Sequence, residues 1–371
     1  ASDNEDEGKL IEITRDVVKL EDAAAKKKEI EIKRASRNYN IGVIELPTFY
    51  MDFEAYNKNR FDYKSSSRDV KKMLRELDAA NIDGLILDLR GNGGGFLFEA
   101  YSLAKLFIGR GNVVQVMEAN GTLQSLGHNL GQQNYDGPIV ILVDKLSASA
   151  SEILAGVIQD YDRGLVIGSQ TFGKGTVQRM IELSHGHLKF TEQKYYRVSG
   201  ESTQNKGVEP DITIPLVFND EEIGERSYEN SLPYNHIDPI FYRSFNKVEN
   251  VDLLKTISSN RTNSNEMSIY ISSQQDFYEN EKNNNVVPIN VEKRKSMKFA
   301  REAKILLMEN TFRKSLNLDP FVTYDEFVNS DPEEISELRE EIVLQEAAEI
   351  LVDSLQFSET PSRISFGIMS Q

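Results

Sequence analysis

From Tyr39 onward the apolar positions fall into short continuous runs that alternate with stretches of helical spacing. NIGVIELPTFY reads as a buried strand stopped by Pro47, and Ser66 to Ala80 sets Val70, Met73, Leu74 and Leu77 on one helical face. DGLILDLR, Asp83 to Arg90, is a second buried strand, followed by the loop GNGGG and a helix through Leu97, Tyr101, Ala104 and Phe107. A strand near Val113 to Val116, a polar turn and the apolar run PIVILVD, Pro138 to Asp144, come next. A helix then carries Ala150, Ile153, Leu154, Val157, Ile158 and Tyr161 at 3.6-residue spacing. Leu165 to Gly168, Thr176 to Leu183 and His187 to Val198 read as strands, and GVEPDITIP closes the block. Strands alternating with helices at this spacing predict an α/β core.

The two ends differ from this block. Residues 9 to 34 alternate loosely through Leu10, Ile11, Ile13, Val17, Val18 and Leu20 and finish in AKKKEIEIKR, which predicts one or two strands and a charged link. Beyond about residue 220 the chain is richer in Asn, Ser, Glu and Lys. It shows helical patterns such as Phe299 to Leu306, with ENEKNNN near residue 280 as a solvated loop. The last helix has the clearest start: Asp331 as cap, Pro332 at the first helical position and Glu334 completing a capping box, ahead of a stripe of Ile335, Leu338, Ile342 and Ile350.

Composition narrows the function. The 371 residues suggest two or three domains, and 39% hydrophobic residues suffice for a sizeable core. A net charge of −16 argues against a grip on nucleic acid or anionic membrane, and no run reaches the length of a membrane span. With no cysteine, thiol catalysis, disulfides and cysteine-based zinc sites are excluded. The acidic start, ASDNEDEG, is unlike a signal peptide, so any export signal is expected to be missing from this chain.

Three segments carry candidate chemistry. In LVDKLSASASEILAG, Ser149 stands where a buried strand turns into a helix, beside backbone N–H groups without intrahelical partners. A Ser149 nucleophile with the Ala150 N–H as oxyanion donor is physically sensible there. The competing reading is a capping box of Ser149 with Glu152. In IGSQTFGKGTVQ, Gly168 to Lys174 fits G-x-x-x-x-G-K, but Gly175 follows where a phosphate loop needs Ser or Thr, and a strand follows where it needs a helix. Lys174, between Gly173 and Gly175, is instead a lysine brought close to other backbone, or simply a turn lysine. In DLRGNGGG, consecutive glycines permit positive φ and close approach, suiting a second oxyanion donor or merely a tight turn. Of the four histidines, His128, His185, His187 and His236, the second and third flank Gly186 in a polar turn and read as surface residues.

Together, DLRGNGGG, SASASEILAG, FGKGTVQ and GVEPDI resemble, in order and spacing, the tail-specific protease family of carboxyl-terminal processing peptidases. Lys174 follows Ser149 by 25 residues and Gln178 follows Lys174 by 4, as that family shows. The resemblance implies Ser149 as nucleophile, Lys174 as base, Gln178 as the residue orienting Lys174, and an oxyanion hole of Ala150 with Gly94 or Gly95. It also implies a crotonase-like ββα protease core at 39–220, a PDZ remnant and charged link at 1–38 around GKLIEITRDVVKLED, and a mostly helical C-terminal domain at 221–371. LPYNHIDPIFY and the helical tail resemble the larger periplasmic Gram-negative branch. That implies a periplasmic enzyme degrading proteins from unstructured, apolar C-termini, with a lipoprotein adaptor as a possible partner and no metal or cofactor. Two rivals stay open: a noncatalytic peptide-binding scaffold and an acyl-thioester enzyme, both on the same fold.

Overall fold

The β-branched runs of the first block form the middle of a mixed sheet because they are apolar on both faces, as strands covered from two sides must be. The structure is a computed structural model and describes residues 23–35, 37–127, 131–214, 223–263, 266–283, 286–330 and 332–359. In chain order it contains β1 (Lys26–Lys33), β2 (Asn38–Glu45), α1 (Phe53–Asn57), α2 (Ser66–Ala79), β3 (Gly84–Asp88), α3 (Leu97–Ile108), β4 (Val114–Glu118) and β5 (Leu123–Leu126). There follow β6 (Ile139–Val143), α4 (Ala150–Asp160), β7 (Leu165–Gly168), β8 (Thr176–Glu182), β9 (His187–Tyr196) and β10 (Ile212–Thr213). The helices α5 (Val251–Asn263), α6 (Glu266–Asn283), α7 (Val291–Ser315), α8 (Tyr324–Val328) and α9 (Pro332–Glu359) complete the series.

A six-stranded sheet has the order β1-β2-β3-β6-β7-β10, parallel except for the β1–β2 pair. One face packs on α2, α3 and α4 through Val70, Leu74, Leu77, Ala100, Leu103, Phe107, Leu154 and Ile158. The other face buries Ile41, Val43, Ile86, Val140, Leu142 and Ile167 against Val343, Leu344, Ala347, Ala348 and Leu351 of α9 and Leu254 of α5. A second, four-stranded antiparallel sheet, β5-β4-β9-β8, stands beside this three-layer core.

Several expectations change. AKKKEIEIKR is not a link: it is β1, fully paired with β2 from Lys26↔Glu45 to Lys33↔Asn38, and its charges lie on an edge strand where they meet water. ENEKNNN is not a loop as far as it is described, since α6 runs to Asn283; Glu and Lys are good helix formers on an exposed face. The last helix starts at Pro332 as expected, while Asp331 lies outside the described residues. Its stripe divides between two partners. Ile350 joins the sheet-facing cluster, and Ile342 turns to the small cluster of Tyr270, Ile271 and Phe312. The segment around GKLIEITRDVVKLED, expected to be a PDZ remnant, and His128 also lie outside the described residues. The stretch from Ile237 to Lys247 straps the core, with Ile237 N–H donating to Gly200 O at 2.9 Å and Phe245 N–H to Tyr161 O at 2.8 Å. Among the described residues, no helix is long and apolar enough to cross a membrane.

Candidate active site

The site forms at the C-terminal ends of β3 and β6, where two loops leave the sheet side by side. The β3 loop turns on Asp88–Arg90, an ion pair with Arg90 Nη2 2.6 Å from Asp88 Oδ2. Buried Asn92 then ties three pieces together. Its Nδ2 donates to Leu46 O (2.7 Å), its Oδ1 accepts from Gly94 N–H (2.9 Å), and its carbonyl accepts from Ala148 N–H and Ser151 Oγ (both 2.9 Å). On the β6 loop, Asp144 accepts from Gly91 N–H and from Ser147 N–H, and Ser147 Oγ donates to Leu89 O at 2.8 Å. Ser147 and Ser151 are thus committed to fixing the loops. Ser149, half-buried between them, caps α4.

Ser149 has φ +57° and ψ −109°, a sparsely populated conformation for a residue with a Cβ. Such strain costs roughly 1–3 kcal/mol and persists only where the surroundings over-determine it. Gly94 is part of those surroundings: at φ +103°, a Cβ there would lie 2.8 Å from Ser149 Cβ and 2.9 Å from Ala148 O. Gly95, at φ +148°, passes so close to Phe49 that a Cβ would sit 2.2 Å from Phe49 O. Phe49 N–H donates to Gly94 O and Phe96 N–H to Phe49 O, both at 2.9 Å, so the loop is stitched on as a short parallel bridge.

Lys174 is half-buried in the turn before β8, and its Nζ donates to Gln178 Oε1 at 3.2 Å. The structure shows no direct hydrogen bond between Lys174 Nζ and Ser149 Oγ; the two are joined through their main chains. Burial lowers the Lys174 pKa most, and the like charge of Lys189 lowers it further, against the opposing carboxylates of Glu225 and Glu152. Gly175 lets the turn approach its neighbour, since a Cβ there would be 2.6 Å from Gln204 N. The strand β8 follows directly, which removes the phosphate-loop reading. His185 and His187 are exposed at the β8–β9 turn, and His236 is exposed as well.

Two residues that the sequence reading did not place in the site tie nucleophile and lysine together. Glu152, fully buried, accepts on one oxygen from Ser149 N–H (2.8 Å) and Lys174 N–H (2.9 Å), and on the other from Thr171 Oγ1 (2.6 Å) and Gly173 N–H (2.7 Å). Burial outweighs these donors and pushes its pKa up to about 7. Tyr195 does the same for the carbonyls: its buried hydroxyl bonds to Lys174 O and lies 3.2 Å from Ser149 O, while Thr203 Oγ1 donates to it. The S-x-x-E spacing gave the only signal for Glu152, and it read as a cap; nothing local marks Tyr195.

Comparison with known proteins shows the family to which these segments are similar. Residues 40–214 match peptidase family S41, and residues 218–356 match the C-terminal domain of tail specific protease. The chain belongs to peptidase family S41. It is 39% identical over 253 residues to the tail-specific protease of Haemophilus influenzae, covering 66% of this chain and 34% of that protein. It is 33% identical over 208 residues to the carboxyl-terminal-processing protease of Synechocystis sp., covering 55% of this chain and 44% of that one. Among solved structures it resembles a photosystem II D1 C-terminal processing protease at 28% identity and a TM-score of 0.42, over 51% of this chain and 48% of that one. The chain therefore spans less than half the length of these curated relatives. Its fold is the mixed α/β fold of the S41 proteases with a helical C-terminal domain.

Proposed function

We propose that this chain is a serine endopeptidase of the carboxyl-terminal processing kind, working through a Ser149–Lys174 dyad. The observation that carries the reading is the shared anchoring of Ser149 and Lys174 by the one buried carboxylate of Glu152, with Ser149 held in a strained conformation at the N-terminus of α4. A role confined to helix capping needs neither the strain nor the lysine. Ser149 Oγ attacks a peptide carbonyl, neutral Lys174 takes its proton and passes one to the leaving amine, and water releases the acyl group. Gln178 holds Lys174 Nζ without adding a charge that would favour the ammonium. Ala150 N–H supplies one oxyanion donor. Gly95 N–H supplies the other, because the Gly94 N–H is already taken by Asn92 Oδ1.

The crotonase-like ββα description, a PDZ remnant around GKLIEITRDVVKLED, the periplasmic location and a lipoprotein adaptor extend this reading from the family resemblance. So does a preference for unstructured, apolar C-termini. The test is degradation of casein by the wild-type chain, Ser149→Ala, Ser147→Ala and Ser151→Ala. Loss of turnover in Ser149→Ala with a retained fold is expected. Full activity in Ser149→Ala would remove Ser149 as the nucleophile, and no turnover by the wild-type chain would favour the scaffold alternative.

A further inference from the structure

We propose that the outer edge of β8 is a docking strand to which an extended substrate polypeptide adds as a fifth strand of the smaller sheet. This rests on the peptidase reading and deepens it. Among the described residues no strand pairs with that edge, and β8 begins two residues after Lys174. A chain laid against Lys174 for attack by Ser149 meets this edge where the lysine turn runs straight into the strand.

The register fixes which groups are available. Leu183 N–H donates to Gly186 O and Tyr195 N–H donates to Gly175 O, so the odd-numbered residues from Gly175 to Leu183 turn their backbone groups inward to β9. Gln178, Met180 and Glu182 therefore direct N–H and C=O outward, two residues apart, as strand addition requires. The face bearing Gln178 is the face of the lysine, whose ammonium that amide holds.

Exposed edges are ordinarily blunted by lysine, proline or short length. The opposite sheet follows that rule, with Lys26, Lys27, Lys28 and Lys33 on β1. β8 has neither lysine nor proline, and the charge of Arg179 is tied back across the ladder to Glu192 at 2.9 Å. Between Gln178 and the exposed Glu182 the edge is apolar: Met180 is 66% exposed on the lysine side, and Ile181 and the following Leu183 are 38% and 49% exposed on the other. An incoming strand would find apolar cross-strand neighbours on both faces, so the substrate is an extended polypeptide with apolar side chains, recognised mainly through its backbone.

Met180→Pro removes one outward N–H and no ladder bond, which an edge strand tolerates. With a fluorogenic apolar peptide long enough to reach Glu182, KM is expected to rise about three- to tenfold, the factor of one hydrogen bond, with kcat changed less than about twofold. On the wild-type protein, replacing single substrate amides by esters should raise KM at every second position along one side of the scissile bond. An unchanged KM in Met180→Pro, or an ester scan without that period of two, would overturn the docking strand. Binding of the same ester series to Ser149→Ala, read by fluorescence anisotropy, separates the two proposals. Period-two binding in a protein whose wild type does not cleave supports the strand and removes the peptidase.

Discussion

Replacing Glu152 by Gln tests whether the buried carboxylate holds nucleophile and base in register. Its two oxygens accept from three backbone N–H groups and one hydroxyl, two donors on each side. An amide keeps one acceptor oxygen and turns an NH2 group toward the other pair, so either Ser149 and Lys174 or Thr171 and Gly173 lose their acceptor. Two orphaned donors cost roughly 2–6 kcal/mol. Against this, the variant no longer buries a charge. With a folded pKa of about 7 against an unfolded value of 4.5, that charge costs about 3 kcal/mol above neutrality. Between those two pH values the native state binds more protons than the unfolded state, so wild-type stability contributed by this group falls as pH rises from 4.5 to about 7 and is level above. The variant should lack that slope. At pH 8 the two effects oppose each other, and stability should move by no more than about 3 kcal/mol. Catalysis has no such compensation: a shift near 1 Å between Ser149 and Lys174 costs about 100-fold in kcat, with KM nearly unchanged. Urea unfolding at several pH values and steady-state peptide hydrolysis measure both. A Glu152→Gln enzyme with wild-type kcat at pH 8 would refute the tethering argument.

The wild-type kcat/KM should rise with pH through one deprotonation below the ordinary lysine value of ~10.4, and Lys174→Arg should be inactive in the same assay because guanidinium keeps its proton. Lys189→Glu should move that limb to higher pH, since it replaces a like charge that pushes Lys174 down by one that holds its proton; a pH–rate profile reads the shift directly. Gly94→Ala should lower kcat by at least about 100-fold and also lower the Tm, because its Cβ would have to displace Ser149 or Ala148 and a φ of +103° strains alanine.

The parts of this molecule that were legible in its sequence are those governed by local pattern. Leu165–Gly168 is a strand at the predicted limits, and Ala150, Ile153, Leu154, Val157, Ile158 and Tyr161 are all buried on the predicted face of α4 and at its end. Ser149, Lys174 and Gln178 were placed by spacing and resemblance, and the Lys174–Gln178 bond exists. What stayed hidden depends on tertiary partners. The alternation that carries Ile32 into the core spans only Ile30 and Ile32, and the lysines and glutamates around it made the run read as a charged link, since pairing with β2 is a tertiary matter. Tyr195 reaches Ser149 only through the crossing of β9, and Glu152 is a cap until Lys174 is folded onto it. That Gly94 N–H is already engaged by the Asn92 side chain is likewise invisible in the sequence.

The position of α9 has a consequence for the order of events during synthesis. The sheet face bearing Ile41, Val43, Ile86, Val140 and Ile167 is closed mainly by a helix that starts roughly 120 residues after β10 ends. At ribosomal speeds of about 5–20 residues per second, that interval is on the order of 6–24 s. Throughout it all six strands of the sheet have been made and the helix that covers them has not. The nascent chain is therefore a half-covered sheet for seconds, open to chaperones and to self-association, and the finished core dates only from the arrival of its last helix.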